Sequence, residues 1–389
     1  MKARHKLISI FLQFLYLGCT SFGGPVAHLG IFRQKFVEND KAITESEYAS
    51  LVALCQIIPG PASSQVGMGL GYRFGGILGA LAAWLGFTLP SALLMMLGGY
   101  WIVHDASTNG SWFIIAMKLV AVGVVTQVVL VMWQQLCESR EMKLVALISA
   151  IIFYIFPTAW MQAVLITIAL VTGLLLRQRP EIMNLSEFLS VKRGLITAIL
   201  WLSGVACAVG WLTDDPWLNL IFGHYLSGAL VFGGGHVVLP LLESEFVPPL
   251  PLNTFLTGYG LAQAMPGPLF TIAAYIGVVA IQSDPFFASM CAILAIFLPG
   301  ALLLIAALTL GQRLIVEMQQ NLVYVNAVVA GLLLSVLVNP IYTGSVYSGS
   351  TAILALLSLI ITVGFKRSHL ELVCIMTAST FIFDLVKWI

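Results

Sequence analysis

The chain has 389 residues, of which 59% are hydrophobic and 9% charged, with a mean hydropathy of +0.98 and a formal net charge of +1. So apolar a composition excludes an ordinary soluble domain and predicts an all-α polytopic membrane protein. The near-zero charge argues against nucleic acid or a strongly acidic surface as partner. Six cysteines scattered through apolar stretches signal neither a disulfide framework nor a metal site.

Lys2, Arg4 and Lys6 precede an apolar run in the manner of a signal peptide. That run leads into Phe22-Gly23-Gly24-Pro25-Val26-Ala27-His28, a motif that recurs later, so it is read as structure. Its glycines let backbone approach a ligand or another helix. His28 is a candidate proton carrier or anion partner, and a helix-tip hydrogen bond is its plainer role. Gln56-Ile57-Ile58-Pro59-Gly60-Pro61 follows. No helix passes intact through Pro-Gly-Pro, because proline removes a donor and restricts the residue before it.

Beyond Pro61 the chain reads Ala62-Ser63-Ser64-Gln65, a predicted helix N-terminus at membrane depth with proline at its first position. Unpaired N–H groups and the positive end of the helix dipole make such a terminus an anion site without a cationic side chain. The Gln56 amide would donate to an oxyanion or satisfy carbonyls freed by the break. Gly67, Gly71, Gly75 and Gly79 fall every four residues and predict one close-packed helix face. Arg73 would draw anions to the cytoplasmic mouth or anchor the helix. Four full spans are predicted at residues 84–103, 113–136, 143–157 and 160–177. Lys118, inside the second, is expected to snorkel to the outer interface.

Residues 181–213 form a linker with one more span, between a first repeat at 1–180 and a second at 214–389. The second repeat carries Phe232-Gly233-Gly234-Gly235 with His236, 210 residues after the first copy. Gln263-Ala264-Met265-Pro266-Gly267-Pro268 comes 207 after the first break, with Thr271 in the helix start beyond it. Leu89-Pro90 pairs with Leu298-Pro299, and Ala121-Val122-Gly123 with Val329-Ala330-Gly331. One order at nearly one spacing indicates duplication, and matched helix breaks in two halves point to the binding site of a repeat-built transporter. Gln263 has the same two candidate roles as Gln56; His28 and His236 occupy different motif positions and form no symmetric pair.

If each repeat opens with two hairpins tipped by the Gly-Gly and Pro-Gly-Pro motifs, 16 of the 18 basic residues fall on the cytoplasmic side. Arg33 and Lys35 in the first repeat correspond to Glu243 and Glu245 in the second, which this arrangement puts in an outer loop. An inverted repeat follows, with a cytoplasmic N-terminus; the hairpins re-enter or cross as short spans. The second-repeat spans are expected at 287–311, 323–340, 345–363 and 369–388. With no catalytic cluster, metal-ligand cluster or Walker motif, neither enzyme activity, a cofactor nor ATP drive is signalled.

The combination of Phe22 to His28, Phe36-Val37, Gln56 to Pro61 with Gln65 and Gly71-Tyr72, then Phe232 to Pro240 with Glu245-Phe246-Val247, resembles the chromate ion transporter family. The resemblance implies a two-domain bacterial inner-membrane carrier that exports chromate and confers chromate resistance. It implies also that His28, Gln56, Pro59, Gly60, Pro61, Gln65 and Pro266 to Pro268 belong to its functional core. Export fits the physics. Moving one charge through 100 mV is worth about 2.3 kcal/mol, so a dianion leaving a negative interior gains about 4.6 kcal/mol. A sulfate or other oxyanion importer is the nearest alternative, and a membrane enzyme or scaffold a distant one. A proton or other counter-ion and a homodimer are admissible partners beside the bilayer and the oxyanion.

Overall fold

A computed structural model describes residues 2–104, 111–176, 215–232, 235–247, 249–310 and 323–386. The predicted linker span, Gly233 and Gly234 fall outside them, and His236 is described through its backbone alone. Every regular element among the described residues is helical. In the first half these are α1 (Lys2–Thr20), α2 (Gly24–Arg33), α3 (Glu45–Ile57), α4 (Ala62–His104), α5 (Ser111–Leu136), α6 (Arg140–Ile155) and α7 (Ala159–Leu175). In the second they are α8 (Pro216–Ala229), α9 (Val238–Phe246), α10 (Leu252–Ala264), α11 (Ile272–Ala280), α12 (Pro285–Leu310), α13 (Val323–Val336), α14 (Gly349–Leu359) and α15 (His369–Leu385).

Local chemistry starts these helices where the chain requires. Thr44 and Glu47 close a capping box at α3, as Ser368 and Glu371 do at α15, and Asp215 accepts from the backbone of Trp217 and Leu218 at α8. α4 is not a straight rod. At Gly75 and Gly76 its backbone leaves helical values, Gly76 at φ +62° and ψ −153°. The two limbs fold back there, so that Gly71 and Gly79 face each other across the turn. The expected single glycine face is therefore corrected: Gly75 lies at the break, and Gly67 packs instead on Phe14 and Phe32. With α4 read as two limbs, each half repeats the same order, and the counterparts of those limbs in the second half are α11 and α12.

Helices long and apolar enough to cross a membrane are Ala62–His104, Ser111–Leu136, Pro285–Leu308 and Val323–Ser345, with shorter apolar ones among the rest. Large apolar side chains such as Leu85, Leu93 and Leu97 on α4 and Leu144, Ile148 and Ile151 on α6 stay exposed, which suits a lipid-facing surface. Inside, the halves interlock. α5 of the first packs on α14 and α15 of the second, while α13 of the second packs on α6 and α7 of the first. Gly123 on α5 meets Ser358 on α14, and its counterpart Gly331 on α13 meets the backbone of Ala146 and Ala150 on α6. Helices surrounded by lipid gain little from hydrophobic association, so small residues that permit close approach hold such interfaces.

Two sequence expectations fail in this framework. Lys118 does not snorkel: α10 and the segment before α14, both from the other half, cover it to 4% exposure. Glu243 is not in a loop either. It lies on α9 at 9% exposure, and α9 is tied to the first half by Gln162 of α7, whose Nε2 donates to Pro240 O at 2.7 Å.

Candidate functional site: four helix tips between two halves

Each Pro-Gly-Pro motif and the first glycine motif follow a helix end, and they meet one another and the described residues that flank Gly233 and Gly234 through the opposite half. Gly60 N–H of the first break donates to Val231 O at 2.8 Å, next to the second half's glycine tip. Gly267 N–H of the second break donates to Ser21 O, also at 2.8 Å, beside the first half's glycine tip. Gly60 and Gly267 are repeat counterparts, and so are Ser21 and Val231. The two bonds are therefore one interaction made twice in opposite senses. A Cβ at Gly235 would lie 3.0 Å from Pro25 Cγ of the first glycine tip and 3.9 Å from Leu269 Cβ beside the second break.

Backbone geometry explains the glycines here. Gly23, Gly60 and Gly267 take φ of +100°, +128° and +90°, values that strain any residue with a Cβ. Each break also rests on the other half's proline-bearing helix. Gly60 packs on Gly300, one residue past Pro299 of α12, and Gly267 packs on Ser91 Oγ, one residue past Pro90 of α4. The Leu-Pro landmarks thus mark the seats of the breaks, a role the sequence reading missed. Their signal was present in the shared spacing with the breaks.

The candidate side chains divide by burial. Ser63, Ser64, Gln65, Thr271, Gln263 and His28 are all 6% exposed or less. Gln65 Nε2 donates to Pro59 O at 2.9 Å and to Gly300 O at 3.1 Å, so it satisfies a carbonyl of its own break and ties that break to α12. Thr271 Oγ1 donates to Pro268 O at 2.8 Å, a local closure of the second break. His28 Nε2 donates to Ser21 O at 3.2 Å, the oxygen that also accepts from Gly267, and its ring stands edge-on to Phe87. The Gln263 side chain hydrogen-bonds Tyr259, whereas Ser64 Oγ, Gln65 Oε1 and His28 Nδ1 have no hydrogen-bond partner among the described residues. Ser21 Oγ, Thr88 Oγ1 and Trp84 Nε1 share that state and were not foreseen. Unpaired buried polar atoms are costly in a folded protein, and most of those among the described residues sit on the tip-bearing helices.

Gln56 and Arg73 stand apart from this group. Gln56 is exposed on α3. Arg73 donates to Glu47 Oε1 at 2.6 Å, beside the Arg33–Glu45 pair, on a half-exposed surface about 18 Å along the helix from Pro61. Among the described residues no group of His, Cys, Asp and Glu could hold a metal ion.

The fold and these tips define a helical membrane protein of two homologous halves, with broken helices converging between them as in repeat-built carriers. The chromate transporter family model matches residues 8–174 and 218–383, and the chain belongs to that family. It is 26% identical to an uncharacterised transporter of Methanocaldococcus jannaschii over 77% of this chain and 75% of that one. It is 27% identical to a chromate transport protein of Pseudomonas aeruginosa over 70% of this chain and 66% of that one. A chromate transport protein of Cupriavidus metallidurans is 26% identical over 70% and 67%. No solved structure matches the chain.

Proposed function

We propose that this protein exports chromate from the cytoplasm by alternating access and so confers chromate resistance, with the tetrahedral dianion held between the four tips. One observation carries the reading: the reciprocal Gly60–Val231 and Gly267–Ser21 bonds. Each half closes the other's break, so rocking one half against the other loosens both breaks together, as alternating access at a shared site requires. The amides of residues 62–64 after Pro61 and of Leu269 and Phe270 after Pro268 have no intrahelical acceptor by helix geometry, and they suit an oxyanion without a cation. Ser64 Oγ is an unpaired buried group able to donate beside them. In this reading the repeats are inverted in the membrane, the N-terminus is cytoplasmic, the membrane is the bacterial inner membrane, and the protein is a carrier with no enzyme activity.

The test is uptake of labelled chromate into inside-out membrane vesicles, where uptake reports export. Chromate should accumulate, and faster when the vesicle interior is made positive, because about 2.3 kcal/mol per charge per 100 mV then favours entry. Accumulation of sulfate without chromate overturns the reading and identifies a sulfate carrier.

A further inference from the structure

Lys118 is a basic side chain that the fold buries within α5, at 4% exposure. Its Nζ donates to Asn253 Oδ1 at 2.8 Å and stands 5.3 Å from the centre of the Tyr347 ring. The ion pairs among the described residues are Arg33–Glu38, Arg33–Glu45, Lys35–Asp40 and Arg73–Glu47, so none of the described carboxylates neutralises it. An ammonium has three donors, and an amide oxygen takes one. A buried charge without a counter-charge is expensive, and within a membrane segment it marks an ion pathway by default.

The surroundings favour an anion. Asn253 lies in the first turn of α10, whose N-cap, Pro251, supplies no side-chain cap. The amides of that turn and the positive end of the α10 dipole therefore lie beside Lys118. α10 then runs to Gln263, about 15 Å away, and ends at the second Pro-Gly-Pro. The repeat counterpart of Lys118 is Asn326 on α13, so the framework does without a cation at the equivalent place in the other half. Helix packing alone does not call for the charge.

We propose that Lys118, Asn253 and the first turn of α10 form a second, transient site for the transported oxyanion, a relay between the four tips and one mouth of the carrier. The relay rests on the reading of the protein as an oxyanion carrier. The anion takes the free donors of Lys118 and the α10 amides, and Asn253 holds the ammonium in place between passages.

The decisive variant is Asn253→Asp, nearly isosteric with the native side chain. It gives Lys118 a permanent carboxylate partner and keeps the tie between halves. Tm of the purified protein in detergent should hold or rise, while chromate flux into inside-out vesicles should fall about tenfold or more, the weight of one charge-assisted hydrogen bond. Lys118→Gln should lower flux similarly, and Lys118→Arg should restore part of it. Full flux in Asn253→Asp, or flux lost only in step with Tm, overturns the relay. If the wild-type protein moves neither chromate nor sulfate, the carrier reading fails on its own. The relay is then judged by the Tm shift that chromate or sulfate produces in purified protein: a shift present in wild type and absent in Asn253→Asp upholds the site, and no shift in wild type overturns it.

Discussion

At the first break Gly60 presses on Gly300 and Gln65 stitches Pro59 O to Gly300 O, whereas at the second Gly267 meets the Ser91 hydroxyl and Thr271 closes Pro268 locally. Both breaks send one backbone amide to the opposite half. The backbone is thus duplicated while the side-chain lock is not. A two-fold arrangement of broken helices brings the tips together, and side chains decide how firmly each half is held. The first break has two ties to the second half, one through backbone and one through Gln65. Among the described residues the second break has a single hydrogen-bonded tie to the first half, which makes it the easier one to release.

The largest effects should come from placing a Cβ on either glycine. At Gly60 it would sit 2.9 Å from Gly300 Cα, a backbone atom that cannot swing away, and at a φ that disfavours every L side chain. Gly60→Ala should cost about 3 to 4 kcal/mol, combining backbone strain with overpacking, and abolish chromate flux. At Gly267 the nearest atom is the Ser91 hydroxyl at 2.9 Å, a side-chain end that can rotate, and the nearest backbone atom, Phe87 O, is farther, at 3.1 Å. Gly267→Ala should cost about 2 kcal/mol, and adding Ser91→Gly should recover part of it. Equal losses of Tm at the two positions would remove this asymmetry between the breaks.

Next in size are the side-chain locks. Gln65→Leu strands Pro59 O in a buried place, removes the tie to Gly300 O, and should cost about 1 to 3 kcal/mol by denaturation in detergent. Thr271→Val loses one local bond and should cost about 1 kcal/mol. Flux should separate the pair more clearly than stability, because Gln65 spans the halves and Thr271 does not. A Thr271→Val protein as impaired in flux as Gln65→Leu would show that local closure of the break matters more than the tie between halves.

The breaks, the duplication and the spans after them were legible because proline and glycine act on backbone locally, and because apolar length is a property of one segment. What escaped the sequence depends on partners far along the chain. Gln65 meets Gly300 across 235 residues, and Lys118 meets Asn253 across 135. Gln56 and Gln263 occupy equivalent places before the two breaks, yet one is exposed and the other 6% exposed. Burial is set by which elements of the other half arrive, and spacing within one half carries no record of that. The four-residue glycine series illustrates the same limit, since a glycine that packs a helix and a glycine that turns it look alike in sequence.

The smallest effect should fall on Arg73. Its pair with Glu47 is half exposed on both sides, with side-chain exposures of 51% and 41%. Such a pair contributes about 0 to 1 kcal/mol, and salt screens it. Arg73→Gln should leave Tm within about 0.5 kcal/mol of the native value. Its effect on flux then sets the role of surface charge against that of the tips. If Arg73 gathers anions at the cytoplasmic mouth, the variant should lose flux at low salt and low chromate and recover it when either is raised, since steering acts on encounter and is screened within about 10 Å at 0.1 M salt. If the tips and the buried donors do the work alone, flux should be unchanged at every salt concentration. A loss that salt and substrate do not relieve would fit neither case and would place Arg73 in the transport cycle itself, which its distance from the tips argues against.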